Sequence, residues 1–136
     1  MAYNWLRLGM GATIGRALRQ GIWAPAGVLL LALIAARLPS ALDPWWLLHI
    51  LGGAALAFWF SRLATIEVPW RYVVAFALAC TGVVAWEAGE FAVDQLVGTA
   101  LQEGNLDTMT DLLLSVCGAA GYLSLALTGW RGRGGR

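Results

Sequence analysis

The chain has 136 residues, 60% hydrophobic and 12% charged, with a formal net charge of +1. Soluble domains carry about 25% charged residues, so this composition excludes an ordinary water-soluble domain, and the length suits one compact unit. All nine basic residues are arginine, and nothing in their distribution calls for a nucleic-acid partner.

Residues 1–20 lack a continuous apolar run and an A-x-A-like site after one, so they do not read as a cleavable leader. Leu6, Met10, Ile14 and Leu18 recur every four residues, which predicts a short interfacial helix over 1–20. Residues 21–130 then read as a transmembrane domain and 131–136 as a basic tail. Uncharged stretches at 20–36 and 44–61 predict the first two spans. A third span begins near Trp70, and a fourth runs from Asp107 to Trp130. Each can cover roughly 30 Å of hydrocarbon. Pro39 and Pro44 delimit the first connection, Pro69 fits a helix start, and Gly98, Gly104 and Asn105 mark the last loop. The predicted fold class is all-α: a polytopic four-transmembrane-helix bundle with a short interfacial N-terminal helix.

With four spans, eight arginines fall on one side and only Arg37 on the other. The positive-inside rule makes the arginine-rich side cytoplasmic, with both termini there. Only Glu67 among the eight acids joins them, so the inner side carries +7 and the outer side −6. Trp5, Trp23, Trp45, Trp46, Trp70 and Trp130 lie near predicted interfaces, where aromatic anchoring accounts for them. Gly52, Gly53, Ala54 and Ala55 on span two, and Gly118, Ala119, Ala120 and Gly121 on span four, permit close helix contact. Room for a flat pigment or a lipid tail is the sharper reading of the same residues.

The outer side collects the polar chemistry. His49 lies six residues beyond Asp43, about 9 Å along a helix. Glu87, Glu90 and Asp94 follow one another at i, i+3 and i+7, and Asp107 and Asp111 at i and i+4, so each set shares a helical face. Ionised groups within a span cost roughly 2.5–3.5 kcal/mol each at its centre. Clustered carboxylates also repel, and they need a proton, an arginine or a cation. Helix capping and hydration account for Asp94, Glu103 and Asp107 as readily as function does. Glu87 and Glu90 sit at a helix C-terminal end, where the dipole opposes negative charge. His49, Glu87, Glu90, Asp94 and Asp111 are therefore the candidate ligands of a divalent cation, with Asp43, Asp107 and Thr108 as further polar-site residues. One imidazole with carboxylates suits zinc, iron or manganese, and all-carboxylate subsets suit calcium or magnesium.

Other chemistry is silent. There is no P-loop, dinucleotide fingerprint or Cys-x-x-Cys, and Cys80 and Cys117 read as small apolar residues. Ser40, Ser61, Ser115 and Ser124 have no histidine in a recognisable hydrolase arrangement.

The run WEAGEFAVDQLVGT at 86–99, followed by DTMTDLLLSVCGAAGY at 107–122, resembles the YjdF-type bacterial inner-membrane family of unknown function, with a looser similarity to VanZ-like proteins. The similarity rests on Trp86, Glu87, Glu90 and Asp94, then Asp107, Thr108, Asp111, Leu112, Gly118 and Ala119. Asp43 and His49 look like an upstream Asp…His element. The resemblance covers 43–122 and implies a polytopic inner-membrane protein with a polar site; it implies no substrate. The leading expectation is a periplasm-facing cation site that acts on lipid or envelope substrates. The alternative is a non-catalytic accessory or assembly subunit of a larger membrane complex, with a pigment- or haem-associated complex as a variant of it. A transporter or proton relay ranks below both, and whether the chain is an enzyme stays open.

Overall fold

A computed structural model describes residues 15, 19–37, 44–64 and 66–134. The interfacial helix expected over 1–20 lies outside these apart from residues 15, 19 and 20, as do Asp43 and the last two residues of the tail. Among the described residues the regular structure is helical throughout: α1 (Trp23–Ala35), α2 (Trp45–Leu63), α3 (Trp70–Val97) and α4 (Asn105–Gly134).

Among the described residues three helices are long and apolar enough to cross a membrane, namely α2, α3 and the Asn105–Gly129 part of α4. The fourth apolar helix, α1, has 13 residues, about 20 Å at helical rise, and is shorter than a bilayer core is thick. Prolines mark the helix starts: Pro44 and Pro69 directly precede α2 and α3. Pro25 occupies the first turn of α1, where a missing N–H breaks no helical bond. At its other end, α3 stops at Gly98, whose left-handed φ of 75° lets its N–H reach the Asp94 carbonyl at 3.0 Å.

The pairing of residues fixes the topology. Val28 lies beside Gly52 and Trp23 against Phe58, so α1 and α2 are antiparallel. Gly82 faces Leu56 and Phe60 while Glu87 reaches His49, so α2 and α3 are antiparallel too. Gly53 meets Ser115, and Ser61 meets Tyr122, so α2 and α4 run parallel. Helix α2 is the hub: among the described residues it packs on the other three helices, and α1 packs on α2 alone.

The core is built from small residues at a spacing of four, the repeat that keeps one helical face inward. Helix α2 buries Gly53, Ala57 and Ser61; α3 buries Ala75, Ala79 and Val83; α4 buries Ser115, Ala119 and Leu123. The central layer is Ala57, Ala79 and Ala119, each with no exposed surface. Helices α2 and α4 touch backbone to backbone there. A methyl group at Gly53 would overlap the Ser115 carbonyl, and one at Gly118 the Ile50 carbonyl. Such contact supplies the van der Waals packing that holds membrane helices together. The Ser61 and Tyr122 hydroxyls add an inter-helix hydrogen bond of 2.9 Å. Bulky apolar side chains point outward instead, Leu33 being 68% and Leu125 75% exposed, as suits surfaces solvated by acyl chains.

Candidate functional site

Continuing the three buried stripes by one more step of four residues gives the site. The step leads from Gly53 to His49 on α2, from Val83 to Glu87 on α3, and from Ser115 to Asp111 on α4. A core layer that repeats as Ala-Ala-Ala and then Gly-Val-Ser thus ends as His-Glu-Asp. One ligand atom from each of these three residues lies within 4.8 Å of the others. The close α2–α4 seam produces this, because Gly53 admits the α4 backbone one turn away from His49.

The contacts are specific. His49 Nε2 is 3.3 Å from Asp111 Oδ2, with side chains 14% and 16% exposed. His49 Nδ1 is 3.4 Å from the Ser115 hydroxyl. Glu87 is only 4% exposed, and neither carboxyl oxygen has a hydrogen-bond partner among the described residues. A buried carboxyl group without a partner carries a full desolvation penalty of about 1–3 kcal/mol, more if charged. Intramembrane ionisable groups of this kind mark functional sites by default.

The dimensions suit a cation. Two ligands at 2.0–2.2 Å from a metal, separated by a tetrahedral angle, stand about 3.3–3.6 Å apart, and the His49–Asp111 pair matches this at 3.3 Å. Half of the widest 4.8 Å separation is 2.4 Å, a calcium–oxygen bond length of about 2.3–2.6 Å. Closing tetrahedrally on a smaller ion brings the widest-spaced ligands inward by roughly 0.6–0.8 Å each. Ser115 orients the imidazole: when Nδ1 carries the proton, it donates to Ser115 Oγ and leaves the Nε2 lone pair facing the carboxylates.

The other sequence-selected residues lie around this centre with different partners. Asp94 anchors the final loop: one carboxylate oxygen accepts from Thr99 Oγ1 at 2.6 Å and from the Leu101 N–H at 2.8 Å, the other from the Gln102 N–H at 2.9 Å. The Gln102 side-chain amide donates to the Glu87 main-chain carbonyl at 3.1 Å, which ties the loop over the centre. Asp107 lies in the first turn of α4 and accepts from the Glu103 N–H at 3.1 Å. Thr108 Oγ1 donates to the Gly104 carbonyl at 3.3 Å. Glu90 is not among the three clustered ligands; it lines a neighbouring cavity. Ser115 is set aside on sequence for want of a histidine, because the one it meets is 66 residues away. The available signal was its i+4 spacing from Asp111, which places both on one face.

That cavity, of about 210 Å³, lies over α2 between α1 and α3. Its walls are mostly apolar, and His49, Glu90 and Ser115 stand at one end. Cys80 and Cys117 are free thiols.

Residues 28–132 match the family DUF2238, described as a predicted membrane protein. The chain belongs to this membrane-protein family. The YjdF-type and VanZ-like likenesses rest on the residues quoted above alone. No curated protein and no solved structure matches the chain.

Proposed function

We propose that this chain is a four-span inner-membrane protein whose His49, Glu87 and Asp111 bind a divalent cation at the periplasmic end of the bundle, where it acts on lipid or envelope substrates. One observation carries the reading: the buried Glu87 carboxyl group has no hydrogen-bond partner among the described residues, yet its oxygen lies within 4.8 Å of a ligand atom of His49 and of Asp111. A cation satisfies all three side chains at once. The outer orientation follows from the arginines: Arg62 and Arg71 flank the end of the bundle away from the centre. The donor set of one imidazole and two carboxylates favours zinc, iron or manganese. A metal with an open position polarises a phosphoryl or acyl oxygen, or lowers the pKa of a bound water. Glu90, outside the ligand set, is then the candidate general base.

The test is elemental analysis of protein purified without chelator and reloaded with zinc, iron or manganese. Wild type is compared with His49→Ala, Glu87→Gln and Asp111→Asn at equal helix content by circular dichroism. Near-stoichiometric metal in wild type, and its loss in each variant, is the expected result. A wild-type protein that takes up no metal overturns the reading.

A further inference from the structure

The cavity beside the centre has a shape and setting of its own. Helices α1 and α3 both pack on α2, and their backbones do not come together among the described residues, which leaves a slot with α2 as its floor. Val28 and Ala32 form one wall, Gly52 and Leu56 the floor, and Val83 and Trp86 the other wall. The α2 floor runs from Trp45 to Leu56, eleven steps of helix, roughly 16 Å long. Gly52 keeps it open: its Cβ position lies 3.9 Å from Val28 and meets nothing closer, so any larger side chain there projects into the slot. Both α2 and α3 are long and apolar enough to cross a membrane, and with the helices in a bilayer the medium outside the slot is hydrocarbon. Its charged and hydroxyl-bearing lining, His49, Glu90 and Ser115, lies in the half toward Trp45, and the half toward Leu56 and Gly82 is apolar. An occupant must therefore be aliphatic for most of its length and polar at that end.

We infer that the slot binds one acyl chain of a bilayer phospholipid, with the phosphate end toward His49. The placement of the chain rests on the slot alone. The direction of the headgroup rests on the cation site proposed above, since a cation with an open position attracts a phosphate oxygen whereas bare carboxylates repel it.

The test uses the full chain in vesicles of phosphatidylethanolamine and phosphatidylglycerol. They contain a trace of phospholipid carrying a diazirine at the end of one acyl chain. After illumination, labelled peptides are mapped by mass spectrometry, and bound metal is measured on the same samples. Labelling should concentrate at Leu56 and Val83 above the level at the outward-facing Leu33 and Leu125. Gly52→Leu and, separately, Ala32→Leu should abolish that excess while metal content stays at the wild-type level. Two variants on different helices guard against one that fails to fold. Slot labelling no higher than at Leu33 and Leu125, or unchanged in both folded variants, overturns the proposal. Slot labelling that is intact and variant-sensitive in a metal-free wild type upholds the acyl-chain site while refuting the cation reading. Metal without slot labelling does the reverse.

Discussion

Two adjacent glycines on α2 offer a sharp test of how packing makes the site. At Gly53, an added Cβ would stand 2.6 Å from the carbonyl carbon of Ser115 and 2.9 Å from its Cα. Ordinary carbon contacts lie at about 3.5–4.0 Å and the carbonyl oxygen is nearer still, so Gly53→Ala forces α2 and α4 at least about 0.9 Å apart. The obstacle is backbone, so no rotamer change relieves it. Such overpacking costs typically about 1–3 kcal/mol, against roughly 1 kcal/mol gained in helix propensity. The same separation, passed one turn along, takes His49 Nε2 and Asp111 Oδ2 from 3.3 Å to about 4.2 Å or more, beyond hydrogen-bond reach. Gly52→Ala is the internal control, because its Cβ meets Val28 at an ordinary 3.9 Å. We expect Gly53→Ala to lower the midpoint of unfolding in mixed micelles and to weaken metal binding at least tenfold, or about 1.4 kcal/mol. Gly52→Ala should match or exceed wild-type stability and keep its metal. Equal stability and equal metal affinity in the two variants would refute the idea that the α2–α4 backbone contact sets the geometry of the centre.

Other substitutions separate the roles of neighbouring groups. Ser115→Ala should leave the fold intact and reduce metal affinity about 10–100-fold, the usual effect of losing an orienting partner, as read by competition with a chelating dye. Tyr122→Phe removes the hydrogen bond to Ser61 at the far end of the seam. It should cost about 0.6 kcal/mol, the average for such bonds between membrane helices, with no change in metal content. Asp94→Ala frees three donors in the 99–102 loop and should speed proteolysis and amide exchange there. Retention of metal in that variant would confirm that Asp94 holds the loop rather than the ion.

Much of this was legible in the amino-acid order. Low charge, uncharged runs and arginine placement indicate a polytopic membrane protein, because hydrocarbon tolerates little else in a span. Prolines and glycines mark the helix ends, because one lacks an N–H and the other admits a left-handed φ. The i, i+3 and i+4 spacings put the acids on common faces, since helical periodicity is local. Which acids meet was not local information. Glu87 and Glu90 look alike in sequence, but the α3 stripe through Ala75, Ala79 and Val83 buries Glu87 in the core. Glu90, three residues on, lines the slot. Asp94 carries the same charge, yet its oxygens serve the loop. The pairing of Ser115 with His49 and the slot between α1 and α3 depend on the crossing of α2 and α4 and on α2 standing at the hub. Those are set by how close two backbones come at Gly53 and Gly118, a long-range packing outcome decided only in the tertiary structure.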